Sequence, residues 1–106
     1  MPVINVESEK FDESVLKSDK PALVLFCAQW CPFCKRMDLV FQNTADEMEN
    51  SLTFCKTDIE KQSAIASAYG VKTIPTIILF KNGSQAGKLT GACTQQELTS
   101  FLAENK

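Results

Sequence analysis

Histidine is absent from the 106 residues of the chain. That absence excludes every mechanism built on an imidazole base, including Cys-His and Ser-His-Asp nucleophile systems, and with them the common histidine-containing zinc sites. Also missing are an apolar run near the roughly 20 residues needed to cross a bilayer and a basic block able to follow a phosphate backbone. Eleven Lys and Arg stand against 13 Asp and Glu, a formal net charge of −2. Neither nucleic acid nor a membrane is therefore an expected partner. The opening residues Met1-Pro2-Val3-Ile4-Asn5 lack the cationic stretch and apolar core of a secretory signal, so a cytoplasmic location is expected. Hydrophobic residues at 44% and charged residues at 23% are ordinary for a globular chain and argue against disorder and fibres. One domain over residues 1–106 is expected, acting as a monomer, because two cores at this length would each be too small to be stable.

With imidazole excluded, cysteine is the obvious reactive group. Five cysteines is an odd number, so a fully paired disulfide scaffold would leave one thiol over. Cys27, Cys55 and Cys93 are single residues in apolar or β-like surroundings. Free cysteines of that kind act by default as small buried hydrophobes. Cys27, four residues before Cys31, and Cys93, beside Gly91-Ala92, are each placed where a regulatory second disulfide could form, with buried packing the favoured reading. Cys31 and Cys34, separated by only two residues, stand apart from the rest.

Along the chain, residues 3–6 suggest a short strand. Residues 8–17 place Phe11, Val15 and Leu16 near one helical face, with Ser8 available as a cap. After Pro21, residues 22–28 form an unbroken apolar run, the pattern of a central strand buried on both faces. The period then changes: Cys34, Met37, Phe41, Ala45 and Met48 recur at intervals of three and four, which predicts a long helix ending near Asn50. Residues 52–57 read as a strand. Residues 59–69 read as a helix with Asp58 as cap and Gly70 as its left-handed terminator. Residues 75–80 form a second apolar strand, and Asn82-Gly83 signals a hairpin to a partner over 85–90. Thr94-Gln95-Gln96-Glu97 has the spacing of a capping box, opening a last helix that buries Leu98, Phe101 and Leu102. The order βαβαβαββα predicts an α/β fold with a mixed central sheet of about five strands flanked by four helices.

Cys31 falls where the central strand hands over to the long helix. A sulfur there faces the unpaired N–H groups of the first turn and the positive end of the helix dipole, which stabilise a thiolate. The thiolate is the nucleophile of thiol–disulfide exchange, and a helix N-terminus or a Cys-x-x-Cys motif lowers a thiol pKa from about 8.5 into the range of roughly 3.5–7.5. Cys31 is thus the expected nucleophile and Cys34, one turn further in, the resolving thiol. Pro32 fits the first helical turn, where its missing N–H costs nothing. Lys35 and Arg36 add positive charge nearby, either as tuning groups or as solvated surface. Cys-x-x-Cys is also metal-ligand spacing, but a four-cysteine zinc site needs a second close pair and a mixed site needs histidine. An iron–sulfur cluster shared between two subunits is the remaining metal reading.

Several separated segments, in order, make the chain similar to the thioredoxin family along nearly its whole length. They are Ala28-Gln29-Trp30-Cys31 with Cys34-Lys35, Tyr69-Gly70-Val71, Ile74-Pro75-Thr76, Phe80-Lys81-Asn82-Gly83 and Gly91-Ala92. The resemblance implies a thioredoxin fold and a cis Ile74-Pro75 bond whose loop lies against the two thiols and pairs with extended substrate backbone. It also implies that Trp30, Ile74 and the Gly91-Ala92 turn form a shallow apolar surface around the sulfurs. Taken alone, Trp30 reads more readily as packing than as docking. Three departures matter. Pro32-Phe33 stands between the cysteines, where thioredoxins usually carry Gly-Pro, and looks like the Pro-Tyr of glutaredoxins. Leu25 replaces the buried aspartate that in thioredoxins assists proton transfer at the resolving thiol, although its usual lysine neighbour matches Lys56. Leu39 stands where most members have a helix-kinking proline, which implies a straighter helix.

The resemblance implies a thiol–disulfide oxidoreductase that reduces disulfide-containing proteins with no bound cofactor or metal. Electrons would return from a thioredoxin reductase or from glutathione. Two alternatives remain: glutathione-linked reduction in the manner of a glutaredoxin, and a non-catalytic binding or iron–sulfur module on the same fold. Pro32-Phe33 affects how well the helix terminus stabilises the Cys31 thiolate, and a better stabilised dithiol makes its disulfide a stronger oxidant. The family's own potential is about −270 mV, and a shift toward the glutaredoxin range of about −200 to −230 mV corresponds to roughly 2–3 kcal/mol. Equilibration with a glutathione buffer is expected to give a value less negative than a typical thioredoxin, and a midpoint at or below the thioredoxin value would contradict the reading.

Overall fold

The apolar run after Pro21 forms strand β2 (Ala22–Cys27), and all six of its residues are buried. In the computed structural model, which describes residues 3–105, it is the middle strand of a mixed sheet. Met1-Pro2, read above as the start of a signal-free N-terminus, and Lys106 lie outside the described residues. The other strands are β1 (Val3–Asn5), β3 (Thr53–Asp58), β4 (Thr76–Lys81) and β5 (Ser84–Thr90). The strand order is β1-β3-β2-β4-β5. β1 and β2 run parallel to β3, whereas β4 is antiparallel to both β2 and β5.

Side chains on β2 alternate between two cores, as the pleat requires. Leu23, Leu25 and Cys27 face helices α1 (Pro32–Met48) and α3 (Gln95–Glu104), where they pack with Met37, Phe41, Ala45, Leu98 and Leu102. Phe41 meets Phe54 of β3 edge-on, with ring centroids 5.3 Å apart. Ala22, Val24 and Phe26 face the opposite side, with Phe11, Val15 and Ile65 of helix α2 (Ser63–Ala68). Phe101, expected to be buried, is half-buried against the α1 side.

Several local signals act as expected. Asn82 and Gly83 take φ values of 52° and 80°, the left-handed pair that a two-residue hairpin turn demands. Gly70 terminates its helix region at φ 65°. At the start of α3 the Glu97 N–H donates to Thr94 Oγ1 at 3.1 Å, and the Thr94 N–H donates to Glu97 Oε1 at 3.0 Å. Helix α1 runs unbroken through Leu39 over its 17 residues.

Two helices differ from expectation. Over residues 8–17 the chain forms a 3₁₀ turn (Ser8–Lys10) and then a π-helical turn (Asp12–Leu16), not one α-helix. Ser8 caps nothing; its N–H and Oγ both lie 2.9 Å from Gln62 Oε1. The cause is tertiary: Phe11 packs against Tyr69 and Phe80, at centroid distances of 5.4 and 5.6 Å, and the backbone widens locally to keep Phe11 and Val15 both buried. The helix expected over 59–69 shortens to Ser63–Ala68, with Gln62 and not Asp58 at its N-cap. Asp58 Oδ1 instead accepts the Glu60 and Lys61 N–H groups at 2.8 and 3.2 Å, a local turn that competes with helix.

The reciprocal cap on α3 sets a measurable stability. Thr94→Ala is expected to cost about 1 kcal/mol, seen as a lower urea midpoint with an unchanged slope; an unmoved midpoint would show that the cap contributes nothing.

Candidate active site

The apolar strand β2 ends at Cys27, and a tight turn follows in which the Cys31 N–H donates to the Ala28 carbonyl at 3.3 Å. Cys31 is the N-cap of α1, with extended backbone at φ −86° and ψ 115°, and Pro32 opens the first turn. Its sulfur takes the place usually held by a Ser or Asp oxygen, accepting the Cys34 N–H at 3.4 Å. Both residues are buried, Cys31 at 4% exposure and Cys34 at 3%, but Cys31 lies shallowly at the helix tip. Desolvation pushes the Cys31 thiol up. Hydrogen bonds from the Cys34 thiol and from the Cys34 and Phe33 N–H groups outweigh it and hold Cys31 below its ordinary 9.0. Cys34 goes the other way, raised by burial and by donating to Cys31. The shifts thus favour the thiolate on Cys31 and the thiol on Cys34.

Apolar groups surround the sulfurs. Trp30 is 63% exposed and Phe33 56%, far too open for core residues. The Arg36 guanidinium stands 5.9 Å from the centroid of the Phe33 ring, and Lys35 is exposed with its backbone N–H on the Cys31 carbonyl at 3.2 Å. The Ile74-Pro75 peptide is cis, and Ile74 packs on the cluster that contains Cys31 and Cys34. Gly91, at φ 89°, donates its N–H to the Pro75 carbonyl at 2.8 Å. This bond ties the turn carrying exposed Ala92 to the proline loop. Cys93, just beyond, touches Met37 of α1 through sulfur at 3.9 Å.

Behind the pair, a groove of about 440 Å³ opens at the C-terminal ends of β1, β2 and β3, lined by Cys27, Cys34, Asp38 and Lys56 among others. Leu25 is fully buried in register with Lys56, which therefore finds no acid on β2. It pairs instead with Asp38 of α1, with Nζ 2.9 Å from Oδ1. Asp38 escaped the sequence reading, although its position four residues after Cys34 put the two on one helix face. Cys27 and Cys34 share one core cluster and one wall of the groove. Burial first, then Cys34, holds Cys27 far above its ordinary value. Among the described residues no group of three or more His, Cys, Asp or Glu is arranged to hold a metal ion.

Comparison with known proteins identifies the family. The thioredoxin family model matches residues 2–104. The chain belongs to the thioredoxin family. Thioredoxin of Rickettsia bellii (strain RML369-C) is 36% identical over 101 residues, covering 95% of this chain and 96% of that protein. Thioredoxin of Pseudomonas aeruginosa is 36% identical over 103 residues, covering 97% and 95%, and that of Acidithiobacillus ferridurans 36% over 100 residues, covering 94% and 93%. Membership makes the chain a thiol–disulfide oxidoreductase acting on disulfide-containing proteins, and it favours that reading over a glutaredoxin-like enzyme or a non-catalytic module. Among the described residues no helix is long and apolar enough to cross a membrane.

The split between the two thiols is directly measurable. Because Cys31 is depressed, its reactive thiolate fraction rises through a midpoint below 9.0 as pH increases. In the reduced protein iodoacetamide is expected to modify Cys31 first at neutral pH, while Cys55, pushed up to about 11 by burial, stays unmodified until the protein unfolds. An alkylation profile for Cys31 with its midpoint at or above that of an ordinary thiol, about 8.5, would contradict the assignment.

Proposed function

We propose that this enzyme reduces protein disulfides through Cys31 as nucleophile and Cys34 as resolving thiol. The observation that carries the proposal is the cap: the Cys34 N–H on Cys31 Sγ at the start of α1. The Cys31 thiolate attacks one sulfur of the substrate disulfide, and the other sulfur leaves as a thiolate. Cys34 then gives up its proton and attacks Cys31 Sγ, breaking the mixed disulfide. The substrate departs as a dithiol and the enzyme keeps the Cys31–Cys34 bond. Electrons balance without a bound cofactor.

Exposed Trp30, Pro32 and Phe33 on one side, and Ile74, Pro75, Gly91 and Ala92 on the other, supply the docking surface for extended substrate. Lys35, Arg36, Leu25 and Lys56 tune the site through charge or its absence. One copy of the chain suffices for the cycle. A cytoplasmic setting, where thiol pools keep cysteines reduced, suits such a donor of electrons. A thioredoxin reductase closes the cycle; glutathione is the second candidate donor, favoured by Pro32-Phe33.

Cys31→Ser is expected to lower insulin reduction by at least on the order of 1,000-fold, as loss of a nucleophile does. Cys34→Ser should keep the first step and accumulate the mixed disulfide. Activity persisting in Cys31→Ser would overturn the assignment, and turnover compared with glutathione alone and with a flavin-dependent reductase decides the donor.

A further inference from the structure

The resolving thiol has two sulfur neighbours. The β2 alternation that sends Leu23 and Leu25 toward α1 sends Cys27 there as well, into the core cluster that also holds Cys31 and Cys34. Cys27 is 6% exposed and, with Cys34, lines the groove behind the active-site pair. Burial first, and then the neighbouring Cys34, raises the Cys27 thiol, as expected of two thiols set side by side in one core cluster and one groove wall. A purely packing cysteine needs neither a sulfur partner nor a solvent-facing groove.

We infer that Cys27 and Cys34 form a second redox pair, so that the active-site disulfide moves by internal exchange from Cys31–Cys34 to Cys27–Cys34. In this step Cys27 loses its proton and attacks Cys34 Sγ. The Cys31–Cys34 bond breaks, the Cys27–Cys34 bond forms, and Cys31 leaves as a thiolate. One disulfide is consumed and one is made, so no external oxidant is needed. The proton passes into the groove, which Asp38 lines and into whose wall Thr57 Oγ1 is set, a buried side-chain oxygen without a protein partner; buried polar atoms of this kind are met by water.

Two features drive the exchange. Cys31 is the better leaving group because backbone N–H groups hold its thiolate at the helix tip, and lower-pKa thiols leave faster. Cys27, whose proton burial holds tightly, is the thiol that gains most from being held in a disulfide, and the small thiolate fraction this leaves makes the exchange slow. Around it stand Cys34, Lys56 and Asp38. The relocated form is oxidised yet carries a free Cys31 thiolate with no resolving partner, so it captures a disulfide and holds it. The second pair therefore converts a dithiol reductase into a one-thiol trap.

The inference rests on the dithiol reading, and one experiment separates their failures. The protein is oxidised with oxidised glutathione, freed of reagent, and incubated with N-ethylmaleimide. Chymotryptic cleavage after Phe26, Trp30 and Phe33 puts Cys27, Cys31 and Cys34 on separate peptides. The expected result is slow accumulation of a species alkylated at Cys31 and linked Cys27–Cys34, lost in Cys27→Ala. Cys27→Ser serves as a second control, with a cooperative melt confirming that each variant folds. Oxidised wild-type protein that keeps only the Cys31–Cys34 link, with Cys31 labelled no faster than in Cys27→Ala, would overturn the second pair alone. Failure to form any Cys31–Cys34 bridge on oxidation would overturn the dithiol reading with it.

Discussion

A single N–H group, that of Cys34, organises the site by pointing at the sulfur of Cys31. A helix start leaves backbone donors unpaired, and a cap residue normally satisfies them with oxygen. Here a sulfur does so, and the consequence is chemical as well as structural. The same donors that terminate the helix stabilise negative charge on Cys31, and they do so only while α1 is formed and β2 holds its first turn in place. Reactivity is thus tied to the fold at one point, where the central strand becomes the long helix.

The burial of β2 on both faces explains why so much of the site lies beneath the surface. Its alternation sorts side chains into two cores, and one of them runs directly under the reactive sulfurs. Leu25 fills that core where an acid would have met Lys56 across the register. A lysine without an acid on the neighbouring strand turns to the nearest one, Asp38 on α1. With Lys56 33% exposed and Asp38 26%, the pair is partly screened, and ion pairs of this kind add little to stability. Its effect is positional: it holds a carboxylate in the groove behind Cys34.

The parts of the molecule that follow local rules were legible in the sequence. The continuous apolar run of β2, the three-and-four spacing of α1, the Asn82-Gly83 turn and the Thr94–Glu97 cap each express a preference that the folded chain has no reason to override. The N-terminal segment failed because its conformation is set by Phe11 reaching Tyr69 and Phe80, residues more than fifty positions away in the chain. Asp58 failed for a different reason. Its side chain serves the turn directly after β3, so the helix waits until Ser63. Cys31 and Cys34 were visible by spacing, whereas Asp38 and the sulfur contact of Cys27 depend on which strand faces which helix.

The opposed shifts of Cys31 and Cys34 also bear on the order of events in the proposed cycle. A hydrogen bond between two thiols stabilises one thiolate at the expense of the second ionisation, as in any close pair of titrating groups. The charge is favoured on Cys31, at the helix tip, whose thiol is lowered, and disfavoured on Cys34, whose thiol is raised by burial and by donating to Cys31. In the proposed cycle, consuming Cys31 in a mixed disulfide removes its negative charge and the hydrogen bond that Cys34 donates to it, two of the causes that raise Cys34. Burial, the largest cause, remains. The first step therefore eases the ionisation of Cys34 without completing it, and the groove at its back offers the proton a way out.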